Sequence, residues 1–95
     1  MIKTKHGEFN VRPITFGERR ELHRLEMRVF DDDGVMNKEE YFNLLDWCMN
    51  KAFETPEKTL ENLDDSQIDE VLNEVYMNYK DITQKKLASQ DSNLV

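Results

Sequence analysis

NKEEYFNLLDWCMNKAF, residues 37–53, is the stretch on which the fold turns. Asn37 stands where a helix N-cap belongs, and Glu40 follows at the third helical position. From there the apolar positions are Tyr41, Phe42, Leu44, Leu45, Trp47, Cys48, Met49, Ala52 and Phe53. That set is wider than one face of a helix, so this helix is expected to be central, with neighbours on more than one side.

The flanking segments supply those neighbours. Upstream, Thr15-Phe16-Gly17-Glu18 has the spacing of a capping box, with Ile14 before it as a hydrophobic closure. Leu22, Leu25, Val29 and Phe30 then recur at helical spacing as an inward stripe. Asp31-Asp32-Asp33-Gly34 ends this first helix: Gly34 permits the turn, and three carboxylates oppose the C-terminal dipole. Downstream, Pro56 suits the first position of a short helix bearing Leu60 and Leu63. Asp64-Asp65-Ser66 breaks it, and Ser66 with Asp69 reads as the cap of a last helix from about Gln67 to about Lys85. Ile68, Val71, Leu72, Val75, Tyr79 and Ile82 form its inward series. Before all of these, Ile2–Lys5 and Glu8–Arg12 flank His6-Gly7 and read as a β-hairpin, with Gly7 supplying the positive φ of the turn. Pro13 limits pairing at its end. The expected fold is mainly α: three to four helices with a short N-terminal β-hairpin. Residues 1–86 form one helical domain (hairpin 1–14, helices 15–86), and 87–95, which carry no period, form a flexible C-terminal tail.

Composition narrows the function. With 95 residues, 38% hydrophobic and 35% charged, the chain holds one modest domain. The net charge is -7 but unevenly placed. Residues 1–30 carry seven basic and four acidic side chains, and residues 31–95 carry six and sixteen. The acidic remainder repels phosphate, so no nucleic-acid partner is expected. No apolar run approaches the roughly 20 residues of a membrane span, and Met1–His6 leads into no apolar signal region.

Candidate chemistry is sparse. A single cysteine, Cys48, excludes an internal disulfide, and its neighbours Leu45, Trp47 and Met49 suit a buried structural thiol. His6 and His23 have no metal-ligand spacing. There is no phosphate-binding glycine loop, nucleophile elbow or two-histidine zinc motif. No catalytic residue, cofactor or metal is expected. The segment from Asp33 to Glu40 does copy the second half of an EF-hand loop, with Asp33, Gly34, Val35, Asn37 and Glu40 at positions 5, 6, 7, 9 and 12. Position 1 falls on Val29, which leaves the cage without its first carboxylate. The alternative to a solvated acidic turn is a degenerate EF-hand-like regulatory module that binds a cation weakly.

Two surface features remain. Arg20, Arg24 and Arg28 recur every four residues beside the apolar stripe, with Arg19 adjoining. Like charges at that spacing repel, so an acidic cover is expected, either Asp69, Glu70 and Glu74 of the last helix or a partner. Met27, Tyr76 and Met77 lie off the cleanest inward stripes. They read either as an adaptable partner-binding surface or as core flank under a neighbouring helix. The partner-binding set is therefore Arg20, Arg24, Met27, Arg28, Tyr76 and Met77.

The layout resembles that of small phage tail assembly chaperones. The resemblance spans about residues 8–82. It rests on the strand leading into Phe9-Asn10-Val11-Arg12-Pro13-Ile14-Thr15 and the charged helix opening Glu18-Arg19-Arg20-Glu21-Leu22. It continues through Leu44-Leu45 before Trp47-Cys48, Leu60-Glu61-Asn62-Leu63 and Ile68-Asp69-Glu70-Val71-Leu72. The resemblance implies a non-enzymatic protein-binding assembly factor in the host cytoplasm. It would mask apolar surface of a phage structural protein, such as a tail or baseplate component, and could form a homo-oligomer. It carries no residue roles.

Overall fold

The computed structural model describes the backbone of residues 1–93 and the side chains of residues 1–80. The hairpin comprises β1 (Ile2–Thr4) and β2 (Gly7–Phe9), and the helices are α1 (Phe16–Val29), α2 (Lys38–Ala52), α3 (Pro56–Thr59) and α4 (Asp65–Asn93). The chain is thus mainly helical with a short N-terminal antiparallel hairpin. Ile2 faces Phe9, Lys3 faces Glu8 and Thr4 faces Gly7. Gly7 has φ 126°, a backbone conformation that a side chain would strain. The Thr4 hydroxyl accepts from the His6 amide and donates to the Gly7 carbonyl, which closes the turn.

The second strand stops sooner than its residue pattern suggests, because the chain after Phe9 finds other partners. The Arg12 amide donates to the Ala52 carbonyl at 3.0 Å and the Arg12 side chain to the Lys51 carbonyl at 2.8 Å. The segment between hairpin and α1 therefore lies across the end of α2 and satisfies carbonyls that a helix C-terminus leaves open.

Local caps set the helix starts. Thr15 and Glu18 form the complete capping box of α1. Asn37 Oδ1 accepts from the Glu40 amide at the start of α2. Pro56 opens α3. The cap of α4 lies earlier than Ser66 and Asp69. Asp64 Oδ1 accepts from the Gln67 amide at 2.8 Å, and Gln67 Oε1 accepts from the Asp64 amide at 3.0 Å. This is the reciprocal box moved two residues upstream, with a glutamine long enough to reach back. The backbone of α4 is helical through Asn93, beyond the expected end near Lys85. No glycine or proline follows to stop it. The side chains of the expected tail, 87–95, and that of Ile82 lie outside the described residues.

Helix α2 packs against α1 and against α4, and β1 rests on α4. The core holds Leu22 and Val29 from α1, Leu44, Leu45, Cys48 and Ala52 from α2, then Phe53 and Leu60. Val71, Leu72, Val75 and Tyr79 come from α4, and Ile2 from the hairpin. Each fully buried aliphatic side chain contributes about 1.5–3 kcal/mol. Two residues expected inside are outside: Phe30 is 56% and Phe42 54% exposed. Phe30 has left the helix as an extended cap residue and pairs with Met36 in an isolated antiparallel bridge. Phe42 lines the open groove that α2 forms with the hairpin turn and α4. Among the described residues, no helix is long and apolar enough to cross a membrane.

Candidate functional site: a groove at the open end of the central helix

The two ends of α2 differ. At its C-terminal end the Arg12 guanidinium reaches Glu18 Oε2 at 3.1 Å, and Lys51 Nζ lies 3.4 Å from the same oxygen. Glu18 Oε1 meanwhile accepts from the Thr15 amide. That amide bond first, then the Arg12 and Lys51 side chains, lower the Glu18 carboxyl from 4.5 to about 2. The Tyr79 hydroxyl donates to the Arg12 carbonyl at 2.7 Å, and the Phe9 and Phe53 rings meet edge to face at 6.1 Å. Hairpin exit, α1, α2 and α4 are all joined here.

At the N-terminal end of α2 the elements diverge and leave a groove of about 820 Å³ among the hairpin turn, α2 and the first turns of α4. Tyr41 and Leu45 give it a floor. Asp69, Glu70 and Glu74 line the α4 side, and Lys5 and Lys38 stand on the other. His6 Nε2 donates to Glu70 Oε2 at 2.7 Å, which fastens the hairpin turn to α4. The Tyr41 hydroxyl donates to Asn73 Oδ1 at 2.6 Å across the floor. Burial first, then the Asp69 charge, push the ionisation of Tyr41 upward. Phe42 and the 44%-exposed Met36 form the lip.

The groove holds apolar side chains and solvated charges, and two polar pairs, His6–Glu70 and Tyr41–Asn73, cross it. Cys48 lies elsewhere, wholly buried, where burial and then the Glu26 charge push its thiol up to about 12. A thiol held so far into its neutral form is a poor nucleophile.

The acidic turn after α1 is organised by its own backbone. Asp31 Oδ1 accepts from the Asp33 and Val35 amides at 2.9 and 2.8 Å, the Asp31 amide donates to the Val35 carbonyl, and Gly34 takes φ 79°. Among the described residues, no group of three or more His, Cys, Asp or Glu is placed to hold a metal ion. The first carboxylate of the run is turned onto amides, as in an Asx-type turn.

The six residues singled out as partner-binding lie on two helices, α1 and α4. Arg20, Arg24, Met27 and Arg28 lie exposed on α1. Tyr76 is half-buried on α4 and packs against the core. Its ring lies under Lys80 Nζ at 5.7 Å, and burial, then the charge and hydrogen bond of Glu26, raise its ionisation. Met77 is 42% exposed. The acids expected to cover the arginines, Asp69, Glu70 and Glu74, line the groove. The groove itself escaped residue patterning, since its parts come from residues 4–6, 36–45 and 66–74. The one usable signal was the surplus of apolar residues on α2, which one domain of this size could not bury on every side.

No protein-family model matches the chain, and no curated protein or solved structure is found similar to it.

Proposed function

We propose that this chain is a non-enzymatic protein-binding assembly factor, of the kind represented by the phage tail assembly chaperones whose layout it resembles. The observation that carries this reading is the groove at the open end of α2, apolar at its floor and lined with Phe42 and Met36 at its lip. Its volume is in the range that accepts a few partner side chains. An amphipathic segment would seat apolar residues at one-turn spacing along the floor while its polar side meets Lys5, Lys38, Asp69 and Glu74. The mechanism is reversible masking: the groove covers an aggregation-prone segment of a tail or baseplate protein, and the chain's net charge of -7 disperses the complex. Such a factor acts where tail proteins are made, in the host cytoplasm.

The test is co-expression with tail structural proteins of the same genome that aggregate alone. The chain should hold its partner in the supernatant, and Phe42→Asp should lose that effect while keeping the wild-type melting curve. A Phe42→Asp protein that protects the partner fully would remove the groove from the mechanism.

A further inference from the structure

Helix α1 turns one whole face away from the core. Phe16, Arg20, His23, Arg24, Met27 and Arg28 follow the one-turn spacing of a single helix side, and all six are exposed. Phe16 is 71% and Met27 68% exposed, the largest values of any apolar side chain except Met1 among the described residues. The guanidinium groups of Arg20, Arg24 and Arg28 span about 12 Å along the axis at roughly 1.5 Å per residue.

The helix's own acids do not neutralise this row. Glu18 is held by Arg12 and Lys51, Glu21 Oε2 accepts from the Trp47 indole at 3.2 Å, and Glu26 faces Lys80 at 3.9 Å. All three glutamates of α1 therefore serve its contacts with other elements. Among the described residues, Arg20, Arg24 and Arg28 form no ion pair, whereas Arg12, Lys51 and Lys80 each do. A row of like charges one turn apart repels itself and gives the isolated fold nothing in return.

We infer that this face of α1 is a docking surface for an acidic amphipathic helix of a partner protein. Carboxylates repeating every four residues would pair with Arg20, Arg24 and Arg28, and bidentate contacts favour arginine there over lysine. Apolar side chains beside them would cover Phe16 and Met27. A nucleic acid fits less well, because its phosphates would run into the exposed Asp31, Asp32 and Asp33 just beyond Arg28 and into a chain of net charge -7. The surface is independent of the groove, which lies on the side of α2 facing the hairpin and α4.

The probe is a synthetic peptide of about 20 residues, long enough to hold a helix, with glutamate at every fourth position and leucines flanking that row. A scrambled peptide of equal composition and a duplex DNA oligonucleotide are the comparisons, all titrated against the 95-residue chain. The patterned peptide should bind, weaken as salt rises, and lose about tenfold or more with Arg24→Glu. Phe42→Asp should leave it unchanged. No binding, equal binding of the scrambled peptide, or indifference to Arg24→Glu would overturn the inference. Tighter binding of the DNA would overturn it in favour of a nucleic-acid face. Concentration-dependent sedimentation of the chain alone, abolished by Arg24→Glu, would overturn it in favour of a second copy as the occupant.

Discussion

The closed and open ends of α2 are built from the same materials to opposite effect. Both ends meet the hairpin segment and α4, and both carry aromatic and charged side chains. At the closed end Arg12, Glu18 and Lys51 are paired within the fold: Arg12 holds two carbonyls' worth of chain and Glu18, Lys51 joins them, and Tyr79 is 1% exposed. At the open end one hydrogen bond, Tyr41 to Asn73, and one pair, His6 to Glu70, cross a gap, and Phe42 faces water. Saturated contacts hold a structure in one arrangement, whereas exposed aromatic and thioether surface beside unpaired charge is what an interface uses. Helix α2 is fastened at its C-terminal end by paired side chains and bordered at its N-terminal end by the groove.

The largest test of this contrast lies in the core that both ends share. Leu72 is 2% exposed on α4, and Leu72→Ala should cost about 2–5 kcal/mol in denaturant unfolding. A cost under roughly 0.5 kcal/mol would place that side chain at the surface. Next comes the closed end itself. Tyr79→Phe keeps the ring and removes the donor to the Arg12 carbonyl, and should cost about 1 kcal/mol. The matching change at the open end, Tyr41→Phe, should cost less, because its hydroxyl bonds an asparagine that water also reaches. Equal costs would erase the distinction.

The acid limb of the stability profile sharpens the same point. Glu18 titrates at about 2 in the fold and near 4.5 when unperturbed. Its depressed value means that its stabilisation is complete above pH 4.5 or so and is lost as pH falls toward about 2. Glu18→Gln should therefore flatten the loss of stability between those pH values, measured as thermal midpoint against pH. An unchanged slope would mean that the Arg12–Glu18–Lys51 contacts contribute nothing in solution. The smallest stability effect belongs to Phe42→Asp, expected within about 0.5 kcal/mol of wild type because the ring is exposed.

Much of the local structure at both ends was legible residue by residue. Thr15 with Glu18 and Asn37 before Glu40 are local signals, readable because both partners lie within one turn. Gly7 marked its turn for the same reason. Asp64 and Gln67 were overlooked because Ser66 and Asp69, two residues on, offer the same spacing. Arg12 with Lys51 and Tyr79 could not be read at all, since they lie 39 and 67 residues apart. The open end misled in a more instructive way. Periodicity treats every apolar residue at helical spacing as buried, and so placed Phe30 and Phe42 inside. Phe30 lies beyond the end of α1 as an extended residue, and Phe42 borders the open groove between α2 and α4, which local periodicity does not report.

The proposed function seats the partner in the groove at the open end of α2, away from the Arg12–Glu18–Lys51 contacts. Site-specific photo-crosslinking during co-expression with a tail structural protein tests it most directly. A benzophenone side chain would replace either Phe42, at the groove lip, or Glu54, exposed at the closed end. The account predicts a cross-linked adduct with the structural protein from position 42 and none from position 54. Adducts from 54 alone, or equally from both, would contradict it.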